Sequence, residues 1–430
     1  MPETPEESIQ KHYRLERILG RQCYLLLCAR GPVTIRSQQV RAMNLVWALR
    51  EQLGKSPNVP VIGGGAAGLT FAAGAARVGA NVHLFENGGL MHLQVGGWHR
   101  PLHPEIYTWP EDTAWRPVSH LPLLGWTTGT AHDVATEIAS KFRTLQQTLQ
   151  KLGRSLNVHD VRATLTAGGQ LKADAAGIPA ECSIIVLAVG FGVENTLFDV
   201  PFTSYWRADA LDQSFLGRHE FRAAVIGSGD GALLDVLRSC VQRTDQGPFL
   251  DSILAVTLPD RTLLDQIRKF SSEDFQEGRG YEVEQAYREL GARHEASIAK
   301  IDKHLLDNRR RAKVKWLIRD ASPFDSSPLP INRFLVSRLL LRPQEYGLEV
   351  IRNATVRTAV YKNRAYVVSY TTTTKDANDV RRRSFSCDHL AVRIGPKRLA
   401  KAAGEGGQSR GLLQSVARVF EGEKADFLTS

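Results

Sequence analysis

The chain has 430 residues, 43% of them hydrophobic and 23% charged, and a formal net charge of +10. Its length allows two domains, or one interrupted by another, and its composition is that of a globular chain with a large core rather than a disordered one. No apolar run reaches the roughly 18 residues that a membrane helix needs, and the first apolar stretch, Tyr24 to Ala29, follows charged residues and does not read as a signal peptide.

Five cysteines, Cys23, Cys28, Cys182, Cys240 and Cys387, are scattered with no Cys-x-x-Cys. An odd, sparse set speaks for reduced thiols in a cytoplasmic protein and against a disulfide framework or a zinc site. The basic runs Arg309–Arg311 and Arg381–Arg383 read as solvated faces, and no nucleic-acid partner is expected.

In chain order, residues 1–57 read as a helical N-terminal extension. Val40, Met43, Leu45, Val46, Leu49 and Leu53 recur near helical spacing, and Gly54 is a stop. The polar start of that helix, Ser37 to Ala42, suits either a cap or a cofactor phosphate.

Residues 59–88, "VPVIGGGAAGLTFAAGAARVGANVHLFENG", read as strand, glycine turn, small-residue helix and a second strand ending in an acid. Gly63, Gly65 and Gly68 form G-x-G-x-x-G. The first glycine allows a tight turn, the second lets backbone approach a pyrophosphate, and the third lets the helix pack on the sheet. Ala66 and Ala67 open the helix whose N-terminus faces the diphosphate. Glu86 ends the second strand, where a carboxylate can accept the hydroxyls of an adenosine ribose.

A loop dense in proline and aromatics follows, with Trp98, Trp109, Trp115 and Trp126. His99 and His103 have i, i+4 spacing, but Pro101 and Pro104 prevent a regular helix there, so no metal site is expected. A helix near 131–152 shows Val134, Ile138, Phe142, Leu145 and Leu149 on one face, and "SIIVLAVGFG", 183–192, reads as a buried strand.

The second strand–turn–helix is "FRAAVIGSGDGALLDVLRS", 221–239, with Gly227, Gly229 and Ala232 as G-x-G-x-x-A. "ILAVTL", 253–258, reads as the next strand. Residues 262–318 are helical, and 349–394 alternate like a β-meander. Each half thus runs from a glycine turn through helices and short strands to an apolar strand ending in glycine, at Gly190 and Gly395. No Ser-His-Asp, paired-carboxylate or Cys-His set stands out, so no catalytic residue is assigned.

On these motifs the chain resembles the two-dinucleotide-binding flavoproteins, the group that includes glutathione-reductase-like enzymes and flavin monooxygenases. The resemblance implies an α/β fold: a FAD-binding Rossmann-like domain interrupted by a second, NAD(P)H-type Rossmann-like domain, with a helical N-terminal extension and a helical insertion. The implied division is 1–57 for the extension, 58–205 for the first part of the FAD domain, 206–345 for the second dinucleotide-type domain, and 346–430 for the meander and return segment. FAD would take the first motif, and the Ala188-Val189-Gly190 strand end would lie near the flavin. NADPH or NADH would take the second.

The same resemblance points Trp98 and Arg100, or His99, at the flavin ring, with plain core as the alternative for that loop. Several residues depart from the pattern. No redox cysteine pair is present, which removes the disulfide-reductase branch. "FLGRHEF", 215–221, matches F-x-G-x-x-x-H only in part, because His219 comes two positions early, and "RIGPK", 393–397, stands where Gly-Asp is usual.

Asp230 lies inside the second glycine turn and would repel a pyrophosphate unless it turns away as a cap. Arg261 beyond "ILAVTLPD" suits a 2′-phosphate, and Asp260 suits ribose hydroxyls. The implied function is a FAD-dependent oxidoreductase, reduced by NAD(P)H and monooxygenase-like, acting on a small organic substrate, with a homo-oligomer possible. Two alternatives stay open: a flavin amine or amino-acid oxidase with a vestigial second site, and a non-catalytic nucleotide-binding or sensing protein.

Overall fold

The computed structural model describes residues 14–394 apart from 19–20, 27–32, 97–99, 112, 166–170, 174–181, 191–196, 199, 201–204, 207–210, 212–219, 243–252, 254, 256, 258, 272–279, 325–327 and 374–379.

Six strands form the first sheet: β1 (Arg14–Ile18), β2 (Arg21–Leu25), β3 (Asn58–Ile62), β4 (Asn81–Glu86), β5 (Leu156–Asp160) and β6 (Ile184–Leu187). Their order is β1-β2-β6-β3-β4-β5, and every neighbouring pair is parallel except β1 with β2. The central strands are buried on both faces, which is why they read as continuous apolar runs such as Ile184–Leu187.

Helices α1 (Ile35–Ala48), α2 (Ala66–Val78) and α3 (Ala131–Lys151) supply the core on one face. The alanines and glycines of α2 let α1 come close, since a Cβ on Gly74 would meet Val46 at 3.0 Å. The opposite face buries Cys23, Leu25, Ile62, Phe85, Ile185 and Leu187 with Ala163.

The expected N-terminal helix is present as α1. Ahead of it, however, β1 and β2 pair antiparallel and extend the sheet, with Cys23, Tyr24 and Leu25 buried beside β6. A short apolar run has no period that separates buried strand from buried helix.

The second sheet contains β7 (Phe221–Ile226), β8 (Ala312–Leu317), β9 (Leu348–Ile351) and, at the end of the chain order, His389–Val392 (β13). Its order is β9-β8-β7-β13, all parallel. Between β9 and β13 lies the meander of β10 (Ala354–Lys362), β11 (Ala365–Thr373) and β12 (Val380–Cys387). Helices α4 (Asp230–Cys240), α5 (Arg261–Ser271), α6 (Gly280–Arg293), α7 (Glu295–Asp307) and α8 (Pro330–Leu341) complete the unit.

The strand expected at "ILAVTL" is not formed. Residues 253, 255 and 257 are helical, and Thr257 Oγ1 donates to the carbonyl of Ile253 at 3.0 Å. Ile253 and Thr257 are buried and Ala255 is exposed. That pattern is helical, because i and i+4 share a helix face and i+2 lies about 200° around the axis, whereas in a strand all three would point to one side. The second strand of this unit is β8, more than fifty residues further on, at the end of the stretch 262–318 expected to be helical throughout.

The two units repeat one another. Read as 3-2-1-4, β5-β4-β3-β6 and β9-β8-β7-β13 are the same order. Ala188 N donates to Ile62 O at 2.7 Å and Arg393 N to Ile226 O at 2.8 Å, while Gly63 N reaches Phe85 O at 2.9 Å and Gly227 N reaches Leu317 O at 3.1 Å. These bonds align Gly63 with Gly227, Glu86 with Ile318, and Ala188 with Arg393.

The proline-rich loop joins the units. Ile106, Trp109 and Ala114 belong to the core of the second, with Trp109 5.5 Å from the Phe334 ring, whereas Leu124 and Trp126 belong to the core of the first. Trp109 and Trp126 are therefore core residues, whereas Trp115 is exposed. No helix among the described residues is long and apolar enough to cross a membrane.

Candidate functional site

The first glycine turn sits at the end of β3, against the end of β6. Gly63 has φ +109°, and a Cβ there would stand 2.4 Å from the carbonyl oxygen of Ala188, so only glycine fits. A Cβ on Gly68 would lie 1.9 Å from the carbonyl oxygen of Gly63. Gly65 is different, because a Cβ there would meet nothing within 4 Å. It N-caps α2 with no side-chain cap and no acid in the first turn, so neither a side-chain cap nor a first-turn carboxylate offsets the positive end of the helix.

Glu86 is placed at the mouth of this turn. Its Oε2 accepts from Gly64 N at 2.7 Å and its Oε1 from Gly88 N at 2.8 Å, leaving each oxygen capacity for a further donor. Gly64 is a residue that the G-x-G-x-x-G spacing passes over. A Cβ on it would strike the Glu86 side chain at 2.7 Å, and the middle glycine of "GGG" is the available signal. Gly190, with φ +68°, lies at the end of the return strand with open space around it.

The second turn repeats the first in backbone and differs in side chains. Gly227 has φ +125° and approaches the carbonyl oxygen of Arg393, and Gly229 faces open space as Gly65 does. Ala232 replaces the third glycine, and the Gly227 carbonyl accepts from Trp316 Nε1 at 2.7 Å. Asp230 turns away from the glycines: its Oδ1 accepts from Leu329 N at 2.6 Å and from Asn332 Nδ2 at 2.8 Å. In the place of Glu86 stands Ile318, which is buried, followed by the exposed Arg319.

Asp260 and Arg261 do not lie at a strand end. Asp260 caps α5 through Leu263 N at 3.0 Å and holds His294 and Ser297, and Arg261 opens the same helix. Neither is positioned for a ribose or its phosphate, because the strand they were to follow is a helix.

Arg100 also departs from expectation. It is buried, and its guanidinium contacts Asp235 Oδ1 at 3.4 Å and lies 3.8 Å over the Tyr205 ring. Asp235 further accepts from Arg238 at 2.9 Å and from Arg393 Nε at 2.8 Å. By position in the repeat, Asp235 corresponds to Phe71 and Arg393 to Ala188, so a charged knot replaces apolar packing in the second unit. Burial alone pushes the Asp235 carboxyl up, but Arg100, Arg393 and Arg238 outweigh it and hold it well below the usual carboxylate range. Arg100 thus ties the first unit to the second.

Ser37 forms a capping box with Thr34, and Gln39 bonds Leu124 O and Trp126 Nε1, so the start of α1 serves structure. His103 Nδ1 accepts from the backbone N–H of Glu105 and of Ile106, which makes it a loop cap. Trp98, His99, His219 and Gly395 lie outside the described residues. Cys23, Cys182, Cys240 and Cys387 are buried free thiols, and burial pushes Cys23 and Cys387 up to about 12. Among the described residues no three metal-ligating side chains cluster.

No family model and no curated protein matches the chain. Among solved structures it is similar to bacillithiol disulfide reductase from Staphylococcus aureus, at 13% identity over 82% of this chain and 80% of that one, with a TM-score of 0.41. It is also similar to L-lysine 6-monooxygenase from Pseudomonas syringae, at 10% identity over 80% and 81%, TM-score 0.39, and to thioredoxin reductase from T. acidophilum, at 11% over 79% and 78%, TM-score 0.36. Likenesses at this level say nothing of substrate or activity.

Proposed function

We propose that the protein is a FAD-dependent oxidoreductase in which the first unit holds the flavin nucleotide and the second takes NADPH. The observation that carries this reading is the duplicated turn: Gly65 and Gly229 each stand at a helix N-terminus where a Cβ would meet no atom within 4 Å. In the first unit α2 would receive the pyrophosphate and Glu86 the adenosine ribose, with Gly190 at the return strand. FAD bound there would supply two-electron chemistry. The residues described here bind and orient, and none is placed as a general acid or base.

For the second unit Arg319 replaces Arg261 as the proposed phosphate-reading residue. Ile318 offers no acceptor to ribose hydroxyls where Glu86 does, and the neighbouring exposed cation suits a 2′-phosphate. A monooxygenase-like use of the reduced cofactor on a small organic substrate remains the leading subtype.

Absorbance spectra of purified protein test the reading. It should be yellow as isolated and bleach anaerobically with NADPH faster than with NADH, and Arg319→Glu should remove that preference. Gly65→Val and Glu86→Ala should each release the flavin. If both variants stay yellow, the FAD assignment fails. The presence of Asp230 in the first turn of α4 favours one other reading, an amine or amino-acid oxidase with a vestigial second site. That enzyme would bleach with an amine and not with NADPH. Bound nucleotide without any turnover would instead identify a sensing protein.

A further inference from the structure

The chain's positive charge is concentrated in one element. Between residues 354 and 387 the sequence has seven basic residues, Arg357, Lys362, Arg364, Lys375, Arg381, Arg382 and Arg383, against two acidic ones, Asp376 and Asp379. Seven less two leaves +5, half of the chain's formal +10, in 34 residues. The described ones, Arg357, Lys362, Arg364, Arg381, Arg382 and Arg383, lie in the meander of the second unit, and the last three are consecutive on its outer strand, β12.

The inner face of the meander is accounted for, since Ala359, Val368, Tyr370 and Cys387 pack on the second sheet. The first half of β12 is not covered in this way. Val380 is 54% exposed, and Arg381, Arg382, Arg383 and Ser384 are all exposed, so the strand is open on both faces. Among the described residues only β11 pairs with it.

The hydrogen-bonding phase shows which backbone groups are open. Thr373 N donates to Asn353 O, so Thr373 and Thr371 bond to β10. The alternation of an antiparallel ladder then assigns Thr372 and Tyr370 to β12, through their partners Arg381 and Arg383. The N–H and C=O groups of Arg382 and Ser384 therefore point out of the sheet. Further along, the edge is closed, because Arg222 Nη1 donates to Ser386 Oγ at 3.1 Å and Asp388 N to Arg222 O at 2.8 Å.

We propose that the open edge Val380–Ser384 is a docking strand for an acidic, extended segment of another polypeptide. Successive residues of a strand point to opposite faces. Arg381 and Arg383 therefore flank an added strand on one side and Arg382 on the other, so consecutive acids in the incoming segment find a cation on both. The outward backbone groups supply the ladder bonds of strand addition. Charge on an edge strand also discourages self-pairing, and here the same three cations repel a second copy of β12 while attracting an acidic one.

A nucleic acid fits less well. The exposed aromatic residue, Tyr361, with its ring 4.9 Å from that of Tyr366, lies at the other end of the strands. Tyr366 and Thr371, the partner of Arg382, are five residues apart, or about 17 Å along β11, so stacking and phosphate-binding groups do not interleave. The inference uses only the meander and is independent of the cofactor reading.

The test is fluorescence anisotropy of a fluorescein-labelled octapeptide of repeating Glu-Glu-Val, titrated with the full chain at low and moderate salt. Binding should saturate and weaken as salt rises. The combined Arg381→Glu, Arg382→Glu, Arg383→Glu variant should bind about tenfold more weakly or worse. Ser384→Pro, which removes one outward donor and no charge, should also weaken binding. Circular dichroism and thermal melts establish that both variants are folded. Equal binding by the triple variant overturns the site, and unchanged binding by Ser384→Pro overturns strand addition. Tighter binding of a single-stranded RNA dodecamer, lost in the same triple variant, overturns the choice of partner.

Discussion

Asp230 accepts the backbone N–H of Leu329 at 2.6 Å, tying the first turn of α4 to the start of α8. A carboxylate inside a glycine turn is thereby committed to protein donors rather than aimed at a ligand. Asp230→Ala should leave Leu329 N without its acceptor and cost about 1–3 kcal/mol. Asp230→Asn keeps an oxygen in place and should cost less, and by removing a negative charge from the helix N-terminus it should tighten NADPH binding. Urea midpoints and a nucleotide titration check both; equal destabilisation by Ala and Asn would remove the hydrogen bond from the explanation.

The third position of each glycine motif should respond asymmetrically. Gly68→Ala drives a Cβ to within 1.9 Å of the Gly63 carbonyl oxygen, so turn or helix must shift, at roughly 1–3 kcal/mol or more. Ala232→Gly removes a Cβ that the second unit already accommodates and should cost only about 1 kcal/mol of helix propensity. Thermal melts of the two variants decide it, and a larger loss for Ala232→Gly would mean the turns are not equivalent.

Asp235 joins the units through Arg100, and Arg238 and Arg393 of its own unit complete the knot. Its carboxyl is held below the ordinary range, so its contribution to stability is present above about pH 3.9 and fades only as the pH falls below that value. Asp235→Ala strands buried guanidiniums and should cost about 3–5 kcal/mol. Acid titration followed by tryptophan fluorescence should show the units holding together down to pH 4. Separation near neutral pH would contradict the knot.

His83 Nδ1 lies 3.1 Å from His159 Nε2, and His159 stacks on Phe85 at 4.8 Å. Burial, and then the charge of His159, push His83 below its usual value. The unfolded chain therefore takes up the proton more readily, so the first unit should be at full stability above about pH 6.5 and lose stability as the pH falls. His159→Phe keeps the stack and should flatten the dependence of the denaturation midpoint between pH 7.5 and 5.5. An unchanged slope would assign that dependence to other groups.

Local chemistry made much of this protein readable in advance. Three glycines, a small-residue helix and a terminal acid form a pattern visible within one short stretch of chain, although the contact that demands glycine at 63 is with Ala188, 125 residues away. The apolar face of α3 was legible for the same reason, because helical period is a local property.

Sequence by itself thus determined two repeated strand–turn–helix units and the residues of their turns. Tertiary structure alone decided which strand follows the second turn, because a short apolar run such as "ILAVTL" carries no period that separates helix from strand. It also decided the partners of long charged side chains. Arg100 reaches Asp235 and Asp230 reaches Leu329 across 135 and 99 residues of chain. No local pattern encodes a contact that exists only once two units have packed together.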